Sequence, residues 1–184
     1  MAFGCLSAVA TVVTEAHRVL VKSPTPRALD CGMGSGFYGA ATRTWHPSNT
    51  YLMGIEGFAQ NKGPNYAHYN HVHFMTIQKW LAWDASHNDR FDVIYLLDVL
   101  EHFSKEEGKE VLTGLKSRLS PGGSLIVVTP SIFFEKGPCG GNALEAHLCL
   151  WSAKELEEEG FCVVEDGKEP NLFGHFQVIA FYYA

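Results

Sequence analysis

The sequence predicts an α/β fold, a three-layer α/β/α sandwich around a mostly parallel sheet that closes with an antiparallel pair. Three observations predict it. Short strand-like runs alternate with helix-like stretches from residue 27 to residue 129, and that alternation implies right-handed crossovers and parallel pairing. Several of the runs are apolar nearly throughout, as strands covered on both faces are. Two further runs, residues 161–164 and 176–181, read as the closing antiparallel pair.

The elements follow in order. Leu6, Val9, Val13 and Leu20 recur at roughly helical spacing until Ser23-Pro24-Thr25-Pro26 breaks the pattern, so residues 6–21 form a leading helix. Residues 27–30 are a short strand feeding the turn Cys31-Gly32-Met33-Gly34-Ser35-Gly36, and residues 37–44 a helix. Residues 51–56 and 71–75 are inner strands, and residues 78–85 a brief helix carrying Trp80, Leu81 and Trp83. Residues 91–97 are the clearest strand. The helix over residues 104–119 has acidic residues early and basic ones late, as its dipole prefers. Pro121-Gly122-Gly123 then turns the chain into a fifth strand over residues 124–129, and a short helix covers residues 152–159.

A chain of 184 residues fits one domain. We divide residues 1–184 into a leading helix (1–24), a ligand-binding core (25–129), and an insert with the closing strands (130–184). There are 14 basic against 20 acidic residues, net −6, with no basic cluster, which disfavours a phosphate backbone as partner. Five cysteines, an odd number without CxxC spacing, point to neither a disulfide framework nor a zinc site. Buried free thiols in a reducing cytoplasm are the expectation. Residues 1–13 are apolar but lack a basic start, and Glu15, His17 and Arg18 follow too soon for a membrane span, so we read no targeting or membrane segment.

In a doubly wound sheet, ligands settle beyond the carboxyl ends of the strands where strand order reverses. Asp30 and the alternate glycines Gly32, Gly34 and Gly36 lie at the end of the first strand, where bare backbone can bend tightly and approach a ligand. Glu56 ends the second strand about 20 residues on, the place from which a carboxylate accepts hydrogen bonds from ribose hydroxyls. Together they imply a nucleoside cofactor. A dinucleotide-dependent oxidoreductase is the first rival, but it needs GxGxxG where this chain has GxGxG.

Residues 29–36, Gly54 to Glu56, the run from Phe91 through Asp98, Glu101 and His102 to Phe103, and Leu119-Ser120-Pro121-Gly122-Gly123 resemble class I, Rossmann-like S-adenosylmethionine-dependent methyltransferases over roughly residues 25–165. The resemblance implies a seven-stranded sheet of order 3-2-1-4-5-7-6 with strand 7 antiparallel. It implies S-adenosylmethionine as cofactor and S-adenosylhomocysteine as product. Asp30 and the glycines would hold the methionine end, Glu56 the ribose, and the end of the third strand the adenine, with Leu97 and Asp98 completing the contacts. The family often has an acidic residue just after the third strand; here Thr76 and Ile77 stand there, and we favour them over Asp84. Methyl transfer by in-line displacement needs alignment and exclusion of water more than a catalytic triad. The expected acceptor is a small molecule, with a protein side chain next and nucleic acid disfavoured. A non-catalytic cofactor-binding module or partner subunit would carry the same core.

Asp98, Glu101 and His102 are spaced i, i+3 and i+4, so a helix starting at Asp98 would bring them to one face. The run is similar to the acid-x-x-Glu-His run of ubiquinone-pathway O-methyltransferases, a resemblance that implies a divalent-metal site, and two carboxylates and an imidazole are acceptable ligands. Alternatively Asp98 caps the helix and the others fix its first turn; we expect the cap and no metal. In the insert, Gly140, Gly141, Asn142, Glu145, His147 and Trp151 resemble a segment of small stand-alone bacterial and phage methyltransferases that reads Gly-Asn, Glu-x-His, Trp. Placed after the fifth strand it could fold over the acceptor, and His147 is the first choice of general base, His102 the second. His68, His71 and His73 are expected in surface or packing roles, and Tyr66, Trp80 and Trp83 in the core or at the rim.

Overall fold

Phe91 to Leu97 is the most apolar strand of the chain, and it becomes the middle of the sheet because apolar side chains on both faces require cover on both. The structure, a computed structural model, describes residues 8–170 and 174–184. β1 (Arg27–Cys31) and β2 (Tyr51–Ile55) pair in parallel, and β3 (His71–His73) extends them at the edge. β4 (Phe91–Leu97) lies between β1 and β5 (Leu119–Pro130), parallel to both. β7 (Gln177–Tyr183) runs antiparallel between β5 and β6 (Cys162–Asp166). The order is β3-β2-β1-β4-β5-β7-β6, the one the resemblance implied.

Alternation along the strands builds two cores. Leu29, Ile94, Leu96, Leu125 and Val127 face one side, while Ala28, Val93, Tyr95, Ile126 and Val128 face the other. The first layer is covered by α3 (Ile77–Asp84), α4 (Lys105–Lys116) and α5 (Ala153–Glu158) through Trp80, Leu112, Leu115 and Leu156. The second is covered by α1 (Val9–Leu20) and α2 (Phe37–Trp45) through Val12, Leu20, Tyr38 and Ala41. Ser104 with Glu107, and Ser152 with Glu155, form capping boxes that fix where α4 and α5 begin.

Some boundaries differ from the expected ones for local reasons. The leading helix is described from Val9; Cys5 and Leu6 lie outside the described residues. β3 stops at His73, because Thr76 accepts from the Lys79 N–H and turns the chain into α3. β5 begins at Leu119, opposite Phe91, so Pro121-Gly122-Gly123 is an irregularity inside the strand instead of a turn before it. Among the described cysteines the expectation of buried thiols holds for Cys31, while Cys139 and Cys162 are exposed and Cys149 is intermediate, all free. Trp80 is buried and Trp83 stands at the rim. No described helix is long and apolar enough to cross a membrane.

Asp84, the rejected adenine contact, is fully buried at the end of α3 with its carboxylate 3.0 Å from Arg118 Nε. Removing one member of a buried pair strands the other charge, at a cost of about 3–5 kcal/mol. Asp84→Ala is therefore expected to lower the urea midpoint by a corresponding amount; an unchanged midpoint would show that the pair does not hold α3 to the sheet.

Candidate active site

Strand order reverses between β1 and β4, and the carboxyl ends of β1, β2 and β4 surround a crevice of about 790 Å3. Asp30, Gly32, Gly34, Glu56, Thr76, Ile77, Leu97 and Asp98 all line it, as does His102. Gly36 stands just outside this lining and heads α2 in a left-handed conformation, φ 77°. Gly32 has φ 71°, and a Cβ there would come within 2.6 Å of the Val99 side chain, so the turns after β1 and β4 can meet only over a bare backbone. The N–H groups of Gly32 and Met33 donate to the Ile55 carbonyl, at 2.8 and 3.1 Å, tying the glycine turn to β2.

Glu56 is buried and accepts three hydrogen bonds: from the Gly34 N–H at 2.8 Å, the Phe58 N–H at 2.8 Å and Asn61 Nδ2 at 3.2 Å. Burial pushes its carboxyl pKa up, and the three donors pull it back. Asp30 is also buried. Burial pushes its pKa up to about 7, against a lowering hydrogen bond from the Tyr69 hydroxyl, with the Glu56 charge adding to the rise. Tyr66, three residues earlier, donates to the Gly34 carbonyl at 2.7 Å. Gly39 and Gly54 leave room for the Tyr69 ring: a Cβ on either would come within 3.0 Å of it. Tyr66 is buried, within the core-or-rim expectation, but Tyr69 and the hydrogen bonds of both hydroxyls are what sequence reasoning missed. Their one visible signal was the Tyr66-x-x-Tyr69 spacing around the 3-10 turn Pro64–His68.

The end of β4 departs from the expectation. Asp98 does not cap a helix, and no helix starts there: its backbone is left-handed, φ 52°, and its carboxylate accepts from Gln177 Nε2 at 3.3 Å. A short 3-10 turn, Leu100–His102, follows, and α4 starts only after Ser104. Asp98, Glu101 and His102 therefore do not share a helical face. Glu101 is buried instead, with Oε2 accepting from the Thr129 hydroxyl at 3.1 Å and its carbonyl accepting from Leu148 N–H at 2.9 Å. Burial, followed by the neighbouring Asp98 charge, pushes its carboxyl pKa up.

The insert after β5 crosses the crevice. Leu144 reaches Gly57, where a Cβ would come within 2.5 Å of it, and Asn142 accepts from the Leu144 N–H at 3.0 Å. Glu145 lines the crevice and pairs with Lys136 at 2.5 Å. Trp151 anchors the far end, fully buried against Gly108 with the Lys105 ammonium 4.1 Å from its ring centre. His102 Nδ1 lies 3.0 Å from the Ala146 carbonyl, which can only accept, so Nδ1 carries the proton and Nε2 the lone pair. His147 packs edge-on to His102 at 5.0 Å and against Phe134 at 4.3 Å. Burial lowers both imidazole pKa values. His147 is not among the residues lining the crevice; it stands behind His102. One ligand atom each from Glu101, His102 and His147 lies within 4.8 Å of the other two. His71 and His73 share a face at the sheet edge, 4.3 Å apart, with Trp83 against His73.

A doubly wound sheet with a glycine turn and a paired acid at its switch point defines an α/β protein built to take a nucleoside-bearing ligand. A family model described as a methyltransferase domain matches residues 9–162, and the chain belongs to that family. Among solved structures it is similar to the DhpI–SAH complex, at 15% identity and TM-score 0.65 over 98% of this chain and 87% of that one. It is also similar to SAM-bound CalS10 of Micromonospora echinaspora, an amino pentose methyltransferase, at 16% identity and TM-score 0.60 over 94% and 89% of the two chains. An O-methyltransferase family protein of Burkholderia thailandensis gives 17% identity and TM-score 0.59, with 95% of this chain covered. At such identities the likeness is one of fold, and the chain spans 57% of the length of that last protein. No curated protein sequence matches it.

The Asp30 carboxyl predicts a pH signature. Its folded pKa lies above the unfolded value, so its contribution to stability is complete below about pH 4 and is lost as pH rises through about 7. Tyr69→Phe removes the bond that favours the ionised form, so the Asp30 midpoint should move above the wild-type value and the loss of stability extend to higher pH. Carboxyl NMR titration reads the first and urea unfolding across pH 4–8 the second; a midpoint that stays or falls would contradict the assignment.

Proposed function

We propose that the protein binds S-adenosylmethionine in this crevice and transfers its methyl group to a small-molecule acceptor, as an enzyme of the cytoplasm. The observation that carries the reading is the glycine turn held against Glu56 across β1 and β2, open to the crevice. Membership of a methyltransferase family supports it, as do fold relatives crystallised with SAM or SAH. The residues present fit such a ligand. Gly34 has open space where a side chain would stand, and two buried carboxylates face a cavity without a cation of their own among the residues that line it. When bound, the cofactor supplies an activated methyl group on a sulfonium together with its leaving group.

The chain's own residues do the rest. Asp30 and the backbone of Gly32, Gly34 and Gly36 hold the amino-acid end. Glu56 exchanges its bonds to Gly34, Phe58 or Asn61 for the two ribose hydroxyls. Thr76 and Ile77 bracket the base, while Leu97 and Asp98 close the wall beside the reacting centre. The insert covers the crevice and excludes water, with Leu144 and Leu148 on its lining. His102 takes the proton of an acceptor that must lose one, because it faces the crevice with Nε2 free. His147 packs on His102 and fixes its position. The four described cysteines, all free thiols, support the cytoplasmic assignment. The net charge of −6 favours a small molecule over nucleic acid, with a protein side chain as the next acceptor class.

Two substitutions test the reading. Glu56→Ala removes the ribose acceptor and is expected to weaken S-adenosylhomocysteine binding by on the order of 10- to 1000-fold in calorimetry, with a cooperative melting transition retained at a lower midpoint. Unchanged affinity would remove Glu56, and with it the crevice assignment. His102→Ala is expected to reduce turnover by on the order of 100-fold or more for an acceptor that must be deprotonated, with S-adenosylhomocysteine affinity within about twofold of wild type. Equal turnover would take His102 out of the proton path.

A further inference from the structure

We infer that Glu101, His102 and His147 form a site for one divalent transition-metal ion, of the class that two imidazoles and a carboxylate bind, with its open positions turned toward the crevice. What the ion would do rests on the proposed reaction: with His102 Nε2 as a ligand the imidazole no longer takes the proton, and the ion acts in its place as a Lewis acid on an acceptor oxygen, which releases its proton to solvent. That the ion binds rests on the geometry of three side chains alone.

The donor atoms lie within 4.8 Å of one another. Ligand bonds of about 2.0–2.2 Å at tetrahedral angles place neighbouring donors about 3.4 Å apart. The three must therefore close by no more than about 1.4 Å, a movement of side-chain scale. His147 can provide it, since it is half-exposed and carried by the insert, whereas Glu101 is fixed in the interior.

Glu101 and His102 are each already oriented by a hydrogen-bond partner, the support that metal-binding carboxylates and imidazoles characteristically have. The Thr129 hydroxyl holds Glu101 Oε2 and leaves the other oxygen free of it. The Ala146 carbonyl takes the His102 Nδ1 proton and leaves Nε2 with its lone pair. The His147 ring is positioned by packing, edge-on to His102 and against the Phe134 ring at 4.3 Å. A packing role would explain two rings in contact. It would not explain an imidazole held by the Ala146 carbonyl with its second nitrogen unprotonated, in a cluster with a buried carboxylate and a second imidazole.

The surrounding charges permit a dication. Asp98 lies next to Glu101, and Glu145 lines the same crevice. Lys136 faces the cluster and opposes a cation, but Glu145 holds it at 2.5 Å, so the pair contributes little net charge. Asp98 is not a ligand of this site, because its left-handed backbone directs the carboxylate to Gln177. Cys139, though in the crevice wall, is not part of the cluster either.

The test is a titration of the purified full chain with Co2+, followed by visible absorption, and with Zn2+ as competitor. One saturable equivalent is expected, with ligand-field bands that Zn2+ displaces and no thiolate charge-transfer absorption. His147→Ala and Glu101→Gln should each weaken Co2+ binding by at least about tenfold, while the pair His71→Ala and His73→Ala leaves it unchanged. Melting curves and S-adenosylhomocysteine binding show which variants are folded; should E101Q not fold, His147→Ala on the surface insert decides alone. Absence of saturable Co2+ uptake by the wild type, or undiminished uptake by folded His147→Ala, would overturn the site. Because the titration reads metal and not methyl transfer, its failure leaves the cofactor reading standing, and loss of the cofactor reading leaves the titration interpretable.

Discussion

Asp30 and Glu56 occupy the ends of neighbouring parallel strands, both buried, and each ionised carboxylate raises the cost of ionising the other. A group of that kind survives in an interior only if its hydrogen bonds are made. The Tyr69 hydroxyl serves Asp30, and the N–H groups of Gly34 and Phe58 serve Glu56. From those bonds much of the local sequence follows. Tyr69 needs Gly39 and Gly54 beside it, the Gly34 carbonyl needs the Tyr66 hydroxyl, and Gly32 must be bare where Val99 presses on it from the end of β4. The glycines of this region are thus consequences of two carboxylates kept in one wall, on three strands at once.

What could be read from the sequence and what could not divides along the same line. Asp30 and Glu56 were legible because each stands where an apolar run stops, and a strand's end is visible in a one-dimensional pattern. Strand order needed the family resemblance, since periodicity fixes faces and not neighbours. The tyrosines that serve the crevice were not legible, because residues 57–70 have no period and their 3-10 turn is held by contacts with α2 and the glycine turn. Asp98 misled for a related reason. Spacing assumes a regular helix, whereas the left-handed backbone there is imposed by its N–H bond to the Val128 carbonyl and by Gln177 on the last strand.

The insert shows how a motif can be seen without its geometry being seen. Gly140 to Trp151 reads as a unit, yet its placement depends on partners far away in sequence. The Glu101 carbonyl takes N–H bonds from Leu148 and Cys149, the Trp151 ring fills the space beside Gly108, and Leu144 ends up over Gly57. The strap is pinned at α4 and spans to β2, so the two ends of the crevice are mechanically joined. That also explains why the motif histidine stands behind His102: the backbone bonds at residues 148 and 149 fix the chain one step beyond it, and the Ala146 carbonyl is spent on the His102 ring.

Charge is divided across this crevice in a way that bears on the proposed reaction. The wall at β1 and β2 holds two buried carboxyl groups, and the wall under the insert holds imidazoles whose pKa values burial lowers, with Lys136 paired to Glu145. A donor that is cationic at sulfur before transfer and neutral after it meets a wall whose field attracts the first form more than the second. The strength of that preference depends on how little solvent screens it, and the insert limits the screening by covering the crevice. Lys136, which could oppose the field from beneath the insert, is held in an ion pair with Glu145. In the proposed reaction, therefore, the strap that covers the crevice is also the segment that sets its electrostatic bias.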